Sequence, residues 1–219
     1  LVRSRGLGDV YKRQQRWYDE TEDFVKAINK RNDIDFVIHG GDMSDFGVTK
    51  EFLWQRDIMN GLSVPYVTLI GNHDCLGTGA ETYKAIFGPT NFSFIAGDVK
   101  FVCLNTNALE YDYSEPVPDF TFMENELTNR TDEFNKTVIS MHARPYTDVF
   151  NDNVVKMFQH YVKQYPGIQF CTAAHTHHYR DDVIFDDGIH YVTSDSMDKR
   201  TYLVFTITPE KYEYELVKY

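Results

Sequence analysis

The apolar positions along this chain follow one pattern up to about residue 180 and another after it. In the first part, apolar runs that predict strands alternate with amphipathic segments of helical period. Helices are predicted at 17–29, 49–60, 80–87, 120–128 and 153–164, and strands at 34–38, 64–70, 91–96, 99–104, 137–141 and 168–173. The second part contains four short predicted strands without helices, at 182–185, 189–193, 202–208 and 212–217.

The alternation of strands and helices predicts an α/β fold, because parallel strands need crossover connections that are usually helical. The late hairpins add strands without adding helices, which indicates two packed sheets with helices on their outer faces. No internal repeat, low-complexity tract or linker divides the 219 residues. We therefore expect one domain over residues 15–219, a length that can bury a substantial core.

Residues 1–14 do not share the pattern of the rest. The stretch from Ser4 to Gln14 has no hydrophobic period and resembles the in-frame translation of a transposase sequencing adapter. We predict that residues 1–14 are a non-native tail and exclude them from fold reasoning. The alternative is a genuine disordered basic tail. If the tail is foreign, the native start of the gene is missing, and the sequence predicts no compartment.

The net charge of the chain limits the kinds of partner that it is expected to bind. The chain carries 22 basic and 33 acidic side chains, a net charge of −11. Without residues 1–14 it carries 18 basic and 32 acidic side chains, a net charge of −14. Such a surface repels nucleic acids and anionic membranes, so we expect neither as a partner. No apolar run approaches the ~18 residues of a membrane span, whereas a small phosphate in a metal-filled cleft remains possible.

Side chains of the kind that bind metals follow four predicted strands. The clusters are Gly41-Asp42-Met43-Ser44-Asp45, Gly71-Asn72-His73-Asp74, His142, and His175-Thr176-His177. Ligands bind at the carboxyl ends of strands in open α/β sheets. Mixed oxygen and imidazole ligands suit Mn, Fe, Zn, Co or Ni rather than Ca. Turn or core roles are the alternative for each residue, but four such placements together favour a metal site.

These motifs resemble the calcineurin-like metallophosphoesterase superfamily, whose signature is D-x-H, G-D-x-x-D, G-N-H-D/E, a lone His and G-H-x-H. The resemblance covers nearly all of residues 15–219 in order and spacing. It implies a four-layer α/β/β/α sandwich of two mixed β-sheets. It also implies a dinuclear centre of Mn, Fe or Zn ions that hydrolyses small phosphomonoesters or phosphodiesters with a metal-bound hydroxide. Within the superfamily, the chain looks most like the bacterial cyclic-nucleotide phosphodiesterase and purple-acid-phosphatase-like branches.

The resemblance also implies roles for individual residues. Asp42 would bridge the two metal ions. His73 would stabilise the phosphoryl transition state or protonate the leaving oxygen, and Asp74 would orient it. The remaining ligands would be Asn72, His142 and His175 on the second metal and His177 on the first.

Two departures from the signature affect these expectations. Ala174 replaces the first Gly of the last motif, a small-for-small change that we expect to be tolerated. More seriously, no D-x-H motif precedes Gly41. We expect that the first strand and its two ligands are missing and that this fragment is impaired. The alternatives are a non-catalytic module that binds a single metal and a nuclease of the same superfamily; the sequence predicts no oligomeric state.

For other polar residues near these motifs, the sequence predicts supporting roles rather than metal binding. Asp45 is expected to steady its loop, and His39 to pack. Arg144 could contact a phosphate or form a surface ion pair. The polar, aromatic loop at 105–119 is either a lid or a solvated acidic loop.

Overall fold

The computed structural model describes the backbone of residues 5–219 and the side chains of residues 15–219. Residues 5–14 of the predicted foreign tail form the start of the first helix, and the foreign origin of the tail stays a prediction. The helices are α1 Arg5–Ile28, α2 Thr49–Met59, α3 Gly79–Phe87, α4 Phe120–Thr128 and α5 Val155–Val162. The strands are β1 Val37–His39, β2 Tyr66–Thr68, β3 Phe92–Ala96, β4 Val99–Leu104, β5 Lys136–Met141, β6 Ile168–Ala173, β7 Arg180–Val183, β8 His190–Thr193, β9 Thr201–Ile207 and β10 Tyr212–Lys218.

Six strands form a mixed sheet in the order β3-β4-β5-β6-β8-β7. The four inner strands run parallel, and the two edge strands pair antiparallel with their neighbours. Every residue of β4 and β5 is buried. This is the burial expected of parallel strands covered on both faces.

The second sheet consists of two separate pairs. β1 and β2 pair in parallel, whereas β9 and β10 form an antiparallel hairpin. Among the described residues, the two pairs are not hydrogen-bonded to each other. β1 and β2 are also shorter than the apolar runs at 34–38 and 64–70 that predicted them.

Three apolar clusters stack these elements into four layers. Val102 and Ile139 of the six-stranded sheet pack against Phe158 of α5. On the other face of that sheet, Phe101 and its neighbours meet strands of the second sheet; for instance, the rings of Phe36 and Phe101 lie 5.1 Å apart. The third cluster packs α1, α2 and α3 on the outer side of the second sheet. The predicted α/β class and its α/β/β/α layering are therefore confirmed.

A cavity of about 1060 Å³ lies between β1 and β9. Consecutive residues line it on both sides, 33–45 next to β1 and 201–205 in β9. Successive residues of a strand point to opposite faces of the sheet. A cavity that is lined by consecutive residues must therefore lie beside the edge of the strand. Apolar side chains of α1 and of the six-stranded sheet complete its walls, among them Phe24 and Phe170. The second sheet is therefore interrupted by an apolar space.

Candidate metal centre

Polar residues that follow four strands come together at one edge of the sandwich. Asp42 follows β1, Asn72 and His73 follow β2, His142 follows β5, and His175 follows β6. All four strands point their carboxyl ends toward this edge, which is the ligand-binding edge of an open α/β sheet.

Four of the predicted ligands converge on a small volume. The Asn72 Oδ1 atom lies 3.1 Å from His142 Nε2 and 3.1 Å from His175 Nδ1. The two imidazole nitrogens are 3.3 Å apart. The Asp42 Oδ2 atom lies 3.6 Å from His142 Nε2. Two imidazoles, one amide and one carboxylate thus point at a common centre from both sheets.

The hydrogen bonds around this centre show which atoms carry lone pairs. His142 Nδ1 is 2.7 Å from the Gly40 carbonyl oxygen, which can only accept, so Nδ1 carries the proton. Burial lowers the pKa of His142 despite the nearby Asp42 carboxylate, so the imidazole is neutral near pH 7. Its Nε2 therefore presents a lone pair to the centre. In neutral His175, donation of the Nε2 proton to Asp148 likewise leaves a lone pair on Nδ1.

Lone pairs facing one another repel unless a cation lies between them. The donor set of imidazole nitrogens, amide oxygen and carboxylate oxygen fits a divalent transition metal. Within residues 15–219, however, no group of three or more His, Cys, Asp and Glu side chains is arranged so that it could hold a metal ion by itself. The chemistry and convergence of these residues therefore fit a metal only when the Asn72 amide oxygen is counted among the donors.

The backbone around the centre requires glycine at two positions. A Cβ atom on Gly71 would lie 2.1 Å from Asp42 Oδ1 and 2.2 Å from the Asp42 amide nitrogen. A Cβ on Gly41, whose φ is +107°, would lie 2.5 Å from His142 Nδ1. The glycines therefore permit the close approach of the loops that follow β1 and β2.

Three of the predicted ligands have left-handed backbone conformations, with φ of 56° at Asp42, 61° at His175 and 55° at His177. Non-glycine residues seldom adopt this region, at a cost of about 1–2 kcal/mol each. Strain of this kind concentrates at functional sites, where the surrounding structure holds it in place.

His73 lies beside the centre with its imidazole 45% exposed. Its backbone N–H donates to Asp42 Oδ1 at 3.1 Å, and its Nδ1 lies 2.9 Å from the Asp45 carbonyl oxygen. Burial opposes protonation of His73, but the Asp45 carbonyl and the carboxylates of Asp42, Asp45 and Asp74 outweigh it and raise the pKa.

The role predicted for Asp74 needs a correction. Its buried carboxylate accepts hydrogen bonds from the Ser44 N–H at 2.8 Å, the Ser44 hydroxyl at 3.0 Å and the Gly71 N–H at 2.9 Å. Among the described residues, Asp45 rather than Asp74 contacts the His73 imidazole. Burial and the Asp42 charge raise the pKa of Asp74 to about 7. Asp74 therefore joins the loops after β1 and β2, and Asp45 orients His73.

The structure also defines the positions of three other polar residues. His177 is exposed and lines the cavity, without a side-chain hydrogen bond to any described residue. His39 accepts from the Gly41 N–H at 3.3 Å, and burial lowers its pKa to about 4. Arg144 forms an ion pair with Asp182, with 3.0 Å between nitrogen and oxygen.

Comparison with known proteins identifies the family. The sequence model of the family described as calcineurin-like phosphoesterase matches residues 6–179. The chain belongs to this family. The predicted resemblance to this superfamily is thus confirmed.

Individual relatives of the chain are distant. A 3′,5′-cyclic-nucleotide phosphodiesterase of Nostoc is 25% identical over 130 residues, which are 57% of this chain and 48% of that protein. The chain therefore spans about half the length of that relative.

Solved structures share the fold. A dimetal phosphatase from Danio rerio superposes with a TM-score of 0.65 at 12% identity, over 82% of this chain and 78% of that one. The protein TT1561 of Thermus thermophilus superposes with a TM-score of 0.60 at 13% identity, over 90% of this chain and 92% of that one.

Sequence reasoning missed one acid that contacts a predicted ligand. Asp148 Oδ1 lies 2.6 Å from His175 Nε2. Asp148 belongs to no motif, so only the path of its loop could have indicated it.

Proposed function

We propose that this protein hydrolyses small phosphoesters at a dinuclear metal centre. The ligands in this proposal are Asp42, Asn72, His142, His175 and His177, and the ions are Mn, Fe or Zn. The observation that carries it is the convergence of lone pairs from Asn72, His142 and His175 within 3.1–3.3 Å. Family membership supports the reaction class.

Asp42 has the contacts expected of a carboxylate shared between two sites. Its Oδ1 accepts the His73 N–H, while its Oδ2 faces His142. His177 reaches the same region from the cavity side. Metal ions bound here would activate a water molecule and neutralise charge on the phosphate.

His73 is proposed to act on the leaving group. Its side chain is 45% exposed, and its pKa is raised, so a larger fraction is protonated near neutral pH. Asp45 fixes the Nδ1 side of the ring, which leaves Nε2 for the leaving oxygen. A positioned imidazolium of this kind can donate a hydrogen bond or a proton in the transition state.

The substrate is proposed to be small. The acidic chain disfavours a nucleic-acid polymer, and the described residues that line the cavity include no Lys or Arg. The name of the Nostoc relative, a 3′,5′-cyclic-nucleotide phosphodiesterase, supports a phosphodiester among the candidates.

The cavity supports the further proposal that the centre is incomplete in this chain. It interrupts the second sheet between β1 and β9, and it reaches Asp42, His142 and His177. An extended strand in this space would pair with both edges and end at the metal centre. The family resemblance assigns this place to a strand that ends in D-x-H, a motif absent before Gly41. The same observation favours a second candidate function, a non-catalytic module that binds a single metal.

Elemental analysis of the purified chain tests the centre. We expect about one transition metal per chain, with loss of this metal in Asn72→Ala and His142→Ala. His160→Ala is the matched control, since it removes an exposed imidazole from α5. Wild-type metal content in Asn72→Ala would exclude the amide as a ligand. Two metals per chain would show that other residues complete the centre.

His73→Ala tests the catalytic proposal in a chain that carries an added first strand. Metal content should not change, whereas turnover of a diester with a poor leaving group should fall about 10²–10⁴-fold. Unchanged turnover on that substrate would contradict a role in leaving-group departure. Absence of turnover in the completed wild-type chain, with metal bound, would favour the binding module.

A further inference from the structure

We propose that Asp148 is a positioning residue that fixes the tautomer and orientation of one donor, His175, before any metal binds. The inference rests on the proposed function for its purpose, but the contact itself belongs to the metal-free chain. Asp148 does not face the centre; it contacts the far side of the His175 ring.

His175 needs such a partner because the proton of a neutral imidazole can lie on either ring nitrogen. Its Nδ1 lies 3.1 Å from Asn72 Oδ1 and 3.3 Å from His142 Nε2, so this nitrogen faces the centre. If Nδ1 carried the proton, it could not act as a ligand.

Asp148 selects the other tautomer. Its carboxylate lies 2.6 Å from Nε2 and holds the proton on that nitrogen. Nδ1 is then left to act as a ligand. A carboxylate behind a metal-binding imidazole fixes both the ring orientation and the tautomer, and its loss typically weakens metal binding about 10–100-fold.

The loop that carries Asp148 is joined to the loop at 105–119 and, through it, to the centre. The Leu109 N–H donates to the Val149 carbonyl at 3.2 Å, so the residue next to Asp148 takes part in a backbone hydrogen bond between the two loops. Asn107 Nδ2 donates to the Ile70 carbonyl at 2.9 Å, which anchors the loop at 105–119 beside Asn72. The loop at 105–119 is therefore tied to the site and does not match a simple solvated loop.

Nuclear magnetic resonance of the metal-free chain tests this contact. At about pH 8, above the usual histidine pKa, we expect a slowly exchanging Nε2 proton on His175. Asp148→Ala should abolish this signal. Asp148→Asn should retain it, because the side-chain oxygen still accepts. Rapid exchange of the Nε2 proton in the wild type would overturn the proposal.

Binding of Mn²⁺, followed by equilibrium dialysis, supplies the second measurement. Asp148→Ala should lower affinity about 10–100-fold, and Asp148→Asn should lower it less. Asp112→Asn is the matched control: it removes a charge from the neighbouring loop at 105–119, and Asn tolerates its φ of 48°. Affinity equal to wild type in Asp148→Ala would also overturn the proposal. A protected signal in a wild type that binds no Mn²⁺ would instead support the positioning contact and contradict the metal centre.

Discussion

The two sheets of this protein differ in completeness, although they contribute equally to one candidate site. The six-stranded sheet has continuous ladders, and all residues of β4 and β5 are buried. The second sheet is split into two pairs, and all three residues of β1 are only half-buried. His142 and His175 come from the continuous sheet, whereas Asp42 and Asn72 come from the split one.

The difference shows how a metal site can be half preorganised. A continuous ladder fixes strand positions by hydrogen bonds on both sides, so the two imidazoles are held by a rigid scaffold. Asp42 and Asn72 depend instead on loop contacts, chiefly the Asp74 carboxylate that binds Ser44 and Gly71. Perturbations should therefore affect stability through the continuous sheet and metal binding through the split one.

Truncation of one phenylalanine next to each sheet should give the largest difference in unfolding free energy. Phe158 is fully buried against the six-stranded sheet, and Phe158→Ala should cost about 3–5 kcal/mol. Phe205, whose ring stacks on Phe170 at 4.5 Å, already borders the cavity. Phe205→Ala should cost only about 1–2 kcal/mol, as measured by urea unfolding. Equal costs would mean that the cavity is as well packed as the core.

Loss of a buried ion pair at the six-stranded sheet should have the next largest effect on stability. Lys100 in β4 is 1% exposed, and its ammonium lies 2.8 Å from the Glu126 carboxylate. Burial opposes ionisation of Glu126, but hydrogen bonds from Lys100, Ser93 and Asn129 outweigh it and hold the pKa below its usual range. Glu126→Gln should cost about 3 kcal/mol near pH 7, because the buried ammonium loses its counter-charge.

The pH dependence of that cost has a definite sign. Since the folded pKa of Glu126 is lowered, its contribution is complete above the ordinary glutamate pKa of about 4.3. It is lost as pH falls through the folded value. The difference in unfolding free energy between wild type and Glu126→Gln should therefore shrink below about pH 4. A difference that persists at acid pH would show that the carboxylate charge is not what stabilises Lys100.

Gly71→Ala should change stability less than Glu126→Gln does, but it should change metal binding more. The added Cβ would lie 2.1 Å from Asp42 Oδ1, so the loop after β1 must move. Overpacking of this kind costs about 1–3 kcal/mol, and metal content should fall. Gly97→Asn is the control, because nothing lies within 4 Å of its Cβ and Asn tolerates its φ of +61°. Full metal content in Gly71→Ala would show that the approach of the two loops is not required.

Much of this arrangement follows from the sequence, and the exceptions have physical causes. The alternation of apolar runs predicted the layers, because burial on both faces of parallel strands requires it. The predicted strands at 34–38 and 64–70 are longer than β1 and β2, since a strand extends only as far as a partner supports it. Apolar residues beyond that length line the cavity instead.

At the site, the sequence located the residues that follow strands and missed those on loops. His142 and His175 were predictable because strand ends meet at one edge. The partner of His73 was assigned wrongly to Asp74, the adjacent residue, because chain proximity does not determine side-chain direction. Asp148 contacts His175 across 27 residues, a contact that depends on how the intervening chain returns to the sheet.

The left-handed conformations at Asp42, His175 and His177 limit how this site could be moved to another scaffold. A graft that copies only side-chain identities onto regular strands would place these groups on right-handed or extended backbone, and they would point elsewhere. The transferable unit is each strand end together with its turn, including Gly41 and Gly71. For the same reason, a search for similar centres in unrelated proteins should compare backbone torsions before it compares residue types.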